Sequence, residues 1–88
     1  MKILLAPDSF KGSLSSLEVI KILKRSARRV FPSADFIEVP IADGGEGTVD
    51  ALVLAGEGEY REKLVKDPLG RPVKARYGII RQQTAVIE

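Results

Sequence analysis

The sequence contains no cysteine and no histidine. The first absence excludes a disulfide framework and a thiolate metal site. The second removes the commonest metal ligand and the usual general base, so acid–base chemistry falls to Asp, Glu, Lys or Tyr. Long apolar runs are also absent, and nothing approaches the ~20 residues that a membrane span needs. Ile3-Leu4-Leu5-Ala6 is stopped by Pro7-Asp8, short of the about 7–15 apolar residues of a secretory h-region, so it reads as a strand. With no membrane or export signal in it, the chain is expected in the cytoplasm.

What is present is an ordinary globular mixture, 44% hydrophobic and 30% charged with a net charge of +2, rather than a disordered one. Its 88 residues allow one small domain at most, with a thin core. The basic residues Lys21, Lys24, Arg25, Arg28 and Arg29 fall late in a predicted helix, where cations suit the negative end of the dipole. With no aromatic residues interleaved among them, they read as a solvated face and not as a nucleic-acid surface.

The pattern along the chain is β-loop-α-β-loop-α followed by a β-rich segment. Lys2–Ala6 has four consecutive apolar residues and predicts a central parallel strand covered on both faces. After the turn-forming Pro7–Ser13 loop, Ser15 and Glu18 make a capping box. Leu17, Ile20, Leu23, Ala27 and Val30 then mark the buried face of a helix that Pro32 ends. A second strand is predicted at Asp35–Val39, and a second helix runs to about Ala55 with Gly56 as its C-cap. Tyr60–Lys66 reads as a polar strand and Asp67–Pro72 as a turn. Val73–Arg81 reads as a half-solvated antiparallel strand, with Val73, Ala75, Tyr77 and Ile79 alternating against Lys74, Arg76 and Gly78. Gln82-Gln83 is the next turn, and Thr84–Glu88 begins another strand. The fold class is therefore α/β, with residues 1–58 forming a Rossmann-like parallel start and residues 59–88 an antiparallel strand segment.

Alternating strands and helices place ligands outside the carboxyl ends of parallel strands. Two unusual loops, Pro7–Ser13 and Ala42–Thr48, are expected at that edge, bringing Asp8, Lys11, Asp43 and Glu46 to one crevice. In the second loop, Gly44, Gly45 and Gly47 precede a helix start, where unpaired amides and the helix dipole favour an anion. The plainer reading is a strand-to-helix turn with Asp43 as N-cap. The loop is neither a Walker A motif, since no lysine precedes Thr48, nor a G-x-G-x-x-G fingerprint. Its residue types suit phosphoryl transfer, which needs a cation, a carboxylate facing the attacking hydroxyl, and carboxylates for Mg²⁺. Lys11 can supply the cation. Asp8 and Asp43 can supply the base and a Mg²⁺ contact in either order, and Glu46 a further metal or hydroxyl partner.

The matching of several stretches at once goes further. Ala6-Pro7-Asp8-Ser9-Phe10-Lys11-Gly12-Ser13 and Pro40-Ile41-Ala42-Asp43-Gly44-Gly45-Glu46-Gly47-Thr48 resemble the bacterial type 1 glycerate kinases. Asp67-Pro68-Leu69-Gly70-Arg71-Pro72-Val73, Tyr77-Gly78-Ile79 and Ala85-Val86-Ile87-Glu88 follow in family order. The resemblance implies ATP-dependent phosphorylation of D-glycerate, in most members to 2-phosphoglycerate, by a two-domain α/β enzyme with substrates held between its domains. It implies ATP and Mg²⁺ as cofactors. It implies a cleft containing Asp8, Ser9, Lys11, Asp43, Gly44, Gly45, Glu46 and Thr48. Family members are several hundred residues long, so the chain is expected to be an N-terminal segment, inactive alone, that self-associates or joins the remaining portion. The alternative is a non-catalytic α/β module of the same ancestry that binds an anion or a protein partner.

Overall fold

A computed structural model describes all residues, Met1–Glu88. The elements are β1 (Lys2–Leu5), α1 (Ser16–Val30), β2 (Asp35–Glu38), α2 (Thr48–Ala55), β3 (Glu59–Lys66), β4 (Pro72–Ile80) and β5 (Thr84–Val86). They form two sheets, a parallel pair β1-β2 and an antiparallel β3-β4-β5.

In the first unit the sequence signals act as expected. Ser15 caps α1 by accepting the Glu18 amide at 3.2 Å, and the Glu18 carboxylate accepts the Ser15 amide at 2.8 Å. The helix crosses over to set β2 beside β1 in parallel, with Lys2 opposite Asp35 and Leu5 opposite Glu38. The basic late turns of α1 coat the surface: Lys24 pairs with Glu38, and the Arg28 guanidinium lies 5.0 Å from the centre of the Phe36 ring. No helix is long and apolar enough to cross a membrane.

Burial is narrower than the pattern predicts. Leu5, Val19, Ile20 and Ala34 are the buried apolar residues of this unit. Leu4 is 62% exposed, however, and Val30 70% exposed. The apolar stripe of α1 is therefore buried only over its first turns, at Val19 and Ile20. β1 is covered on one face and not on both: Leu5 is buried, whereas its neighbour Leu4 on the opposite face is open. Ile37 and Val39 share that exposure.

The second unit differs from its expected orientation. β3 pairs with β4 from Glu59↔Ile79 to Lys66↔Pro72, and β4 with β5 at Gly78↔Val86. The alternation of β4 points to the Val73–Ile79 set as the covered face. The helix instead packs on the Gly78 side. A Cβ placed at Gly78 would lie 2.4 Å from Val53 Cγ2 and 3.3 Å from Val49 Cγ1, so α2 rests directly on the strand backbone. Val49 and Val53, one turn apart on one helix face, are buried there. Only a residue without a side chain allows that approach, so a polar-looking face becomes the packed one.

The turns shift by about a residue. The β4-β5 connection is the three residues Arg81–Gln83 between the paired Ile80 and Thr84, with Arg81 and Gln82 at φ 51° and 59°, rather than Gln82-Gln83 alone. The β3-β4 turn is held by Asp67, whose Oδ1 accepts the Leu69 and Arg71 amides, each at 2.9 Å. Every residue of β3 is exposed, and the radius of gyration is 16.0 Å, against about 12 Å for a compact chain of this length. The hairpin projects away from the rest.

These contacts set three stability expectations. Replacing Gly78 with Ala overpacks the α2-β4 seam and lowers unfolding free energy by about 1–3 kcal/mol in urea titration. Ser15→Ala removes the α1 cap and lowers it by about 1 kcal/mol. The backbone hydrogen bond to Ser15 lowers the Glu18 pKa, and that to Arg71 lowers the Asp67 pKa. Both carboxylates therefore stabilise the fold above their unfolded pKa values, and the contribution is lost as pH falls through the lowered folded ones. Circular dichroism followed into acid should show the loss, and Glu18→Ala should flatten the part due to α1.

Candidate functional site

The parallel pairing does not stop at the strand ends. The Val39 amide donates to the Leu5 carbonyl at 2.9 Å and the Ile41 amide to the Pro7 carbonyl at 3.3 Å. The chain segments leaving β1 and β2 thus run side by side into the two unusual loops, which lie at the carboxyl edge of the pair as the topology requires.

The first loop is a tight turn. Phe10 and Leu14 bridge to each other, with the Phe10 amide on the Leu14 carbonyl at 2.8 Å and Gly12 at φ 74°. Lys11 sits at its exposed tip and forms no ion pair. The Ser9 amide donates to Asp8 Oδ1 at 2.7 Å.

The second loop is built by its glycines and by two side chains. Gly44 and Gly47 take φ 105° and 90°, angles that a side chain disfavours. Asp43 is not the N-cap of α2. Its Oδ1 accepts the Gly45 amide at 3.0 Å, an Asx turn at the loop entrance. The N-cap is Gly47, which has no side chain to offer. Thr48 Oγ1 donates to the Gly45 carbonyl at 2.7 Å and closes the turn. The amides of Gly44, Glu46 and Gly47 make no hydrogen bond within the chain. Three unpaired amides in a glycine-rich turn are a donor set suited to phosphate or carboxylate oxygens.

Glu46 and Ser9 line two small clefts between the loops. One, of about 240 Å³, also contains Ser15, Asp50, Arg76 and Glu88; the other, of about 210 Å³, contains Ser13 and Glu18. Asp8, Lys11 and Asp43 line neither. Of the four residues expected in one crevice, the structure therefore brings Glu46 to a cleft, with Ser9 and Gly47, and leaves the other three on the exposed loop rims. A larger open groove of about 740 Å³ lies at the far end of α2, lined by Gly56–Glu59, Arg61 and Ile79 among others. It holds none of the predicted residues.

No group of three or more carboxylates stands close enough to form a metal cage. Mg²⁺ ordinarily takes only one or two protein carboxylates together with waters and substrate phosphates; Asp43 and Glu46 stand on the same loop, Asp43 holding the Gly45 amide.

The sequence reading missed a cluster beside the loop. Tyr60, Arg76 and Gly78 share the sheet face that meets α2, by the two-residue period of β3 and β4 and their register. The Tyr60 hydroxyl donates to Asp50 Oδ1 at 2.6 Å, Arg76 Nη2 donates to the same oxygen at 3.0 Å, and the guanidinium lies 4.4 Å from the Tyr60 ring centre. Asp50 is thereby held in the first turn of α2. Its one legible signal was the placement of Arg76 on the same parity as Gly78. The hydrogen bond to Asp50, more than burial, raises the Tyr60 pKa.

The glycerate kinase family profile matches residues 3–88. The chain belongs to the glycerate kinase family. It is 53% identical over its whole length to a glycerate kinase of Bacillus subtilis and 48% identical to the glycerate 2-kinase of Escherichia coli. It spans 23% of the length of each of these curated relatives. The crystal structure of a Salmonella typhimurium LT2 protein that carries the name glycerate kinase 2 superposes with a TM-score of 0.83 at 46% identity, covering 97% of this chain and 23% of that one. The family relation carries the α/β fold, the parallel start and the antiparallel segment.

The Tyr60 pair has a measurable sign. A raised pKa means that the neutral phenol's contribution to stability is complete below the unfolded value of about 10 and is lost as pH rises through the folded value. The Tyr60 ¹³Cζ resonance should titrate above the free phenol, and Asp50→Ala should return it toward that value.

Proposed function

We propose that the chain forms part of an ATP-dependent glycerate kinase that phosphorylates D-glycerate, giving 2-phosphoglycerate. The observation that carries this reading is the glycine-rich turn at the carboxyl edge of a parallel sheet, with three unpaired amides, in a chain of the glycerate kinase family. The choice of the 2-hydroxyl leans on the name of the Escherichia coli relative.

In this reading a hydroxyl oxygen of D-glycerate attacks the γ-phosphorus of ATP. The bond from that phosphorus to the bridging oxygen breaks, ADP leaves with the bond's electron pair, and the hydroxyl proton passes to a carboxylate. Asp8 or Asp43 is that carboxylate. Lys11, free of any ion pair, offsets charge on the transferring group. Ser9, Gly44, Gly45, Glu46 and Thr48 shape the phosphate or substrate seat. Asp43 and Glu46 would be this chain's residues to hold Mg²⁺, which would supply neutralisation of phosphate charge. Positioning and electrostatics are the main demands of phosphoryl transfer, and a cleft edge with fixed amides and free side chains supports both.

The activity belongs to the length that the relatives have, and the 88-residue chain is expected to be inactive alone. The exposed apolar residues Leu4, Val30 and Ile37 are then the surface for self-association or for the rest of such an enzyme. A coupled assay with D-glycerate, ATP and Mg²⁺ tests the proposal on the chain alone and joined to the corresponding remainder of a relative. Activity is expected in the joined protein only, and Lys11→Ala or Asp43→Ala should each lower kcat by about 100-fold. A joined, folded protein without turnover would leave the non-catalytic anion-binding module as the better reading.

A further inference from the structure

We infer that Glu88 is a positioning residue for the glycine-rich loop, its side-chain carboxylate serving as the N-cap that α2 does not have locally. Glu88 Oε2 accepts the Val49 amide at 3.0 Å, across 39 residues of sequence. Val49 is only 1% exposed, so water cannot readily replace that partner. A helix start leaves its first amides without intrahelical acceptors, and a side chain at the N-cap ordinarily serves them. Here Gly47 holds the N-cap at a positive φ and makes no side-chain bond. Of the two carboxylates just upstream, Asp43 is engaged with Gly45, and Glu46, the residue before the N-cap, makes no capping bond.

The origin of the substitute cap follows from the packing. Gly78 lets α2 lie against β4, and Gly78 pairs with Val86 on β5. Two residues beyond Val86, Glu88 falls on the same side of the extended chain and reaches the end of the helix. A negative group there also meets the positive end of the helix dipole. The same sheet face holds Asp50 through Tyr60 and Arg76. The first turn of α2 is therefore gripped at two consecutive positions by a separate sheet, which fixes the direction in which the Gly44, Glu46 and Gly47 amides point. One consequence concerns the anion seat: the Val49 amide is already occupied by the protein's own carboxylate, so an incoming phosphate oxygen is left the loop amides and not the helix end proper.

The relevance to phosphoryl transfer rests on the function proposed above, whereas the cap itself can be read without any activity. Amide hydrogen exchange by NMR on the 88-residue chain is the first measurement. Glu88→Ala should speed exchange at Val49 by about tenfold, the scale of one N-cap, while Val53 keeps its protection. Glu88→Gln, whose amide oxygen can still accept, should restore Val49. Unchanged exchange at Val49 in Glu88→Ala, or a Glu88→Gln protein as fast as Glu88→Ala, overturns the inference. If Glu88→Ala loses protection throughout, Glu88→Gln decides: Val49 protected as in the parent supports the cap, and Val49 fast with Val53 still protected overturns it. In the joined enzyme, Glu88→Ala should lower kcat by about tenfold with little change in KM, a misplacement effect, and Glu88→Gln should recover most of it. A joined enzyme with no turnover in any form sinks the proposed function while the exchange result still decides the cap.

Discussion

The contact on which the rest depends is the seating of α2 on the bare backbone of β4 at Gly78. The helix is eight residues long, too short to persist by its own hydrogen bonds. It exists because Val49 and Val53 bury apolar surface against the antiparallel sheet. That seating also decides where the helix begins, hence where the glycine-rich turn before it must lie. With a side chain at Gly78, the helix would have to move outward, and Asp50, Tyr60, Arg76 and Glu88 would lose their register with one another.

The candidate site thus has two foundations of different kinds. On one side, parallel hydrogen bonding extends past β1 and β2 and holds the two loops adjacent, a consequence of backbone pairing. On the other, side chains from β3, β4 and beyond β5 reach across to the first turn of α2. The loop between them keeps three amides unpaired, which an isolated loop in water would not present in one fixed arrangement. Donors fixed in advance cost no reorganisation when an anion binds, which is the physical basis of the phosphate seat proposed above.

Chain packing accounts for the exposed apolar surface as well. With nine residues buried out of 88, the apolar stripe of α1 and one face of β1-β2 stay uncovered, although their residue types are those of an interior. Exposed apolar surface of this extent is the kind that marks contact sites, the role proposed for it above.

Local signals in the sequence determined the elements and their order. The Ser15–Glu18 box starts α1, Pro32 follows its end, Gly56 closes α2, and β1 and β2 pair in parallel because a helix connects them. Each depends on a few neighbouring residues, whose conformational preferences are set by local sterics and hydrogen bonding. The glycine-rich turn was legible for the same reason. Tertiary structure alone decided which face of β4 is covered, because alternation marks the apolar side whereas the close approach at Gly78 made the other side the packed one. It also decided that Asp43 turns inward on Gly45 and leaves the helix start to Glu88, and that Asp50, Tyr60 and Arg76 meet. Those contacts join residues up to 39 apart in sequence. No local preference reports them, since they are selected by the shape that remains once the sheet and the helix have come together.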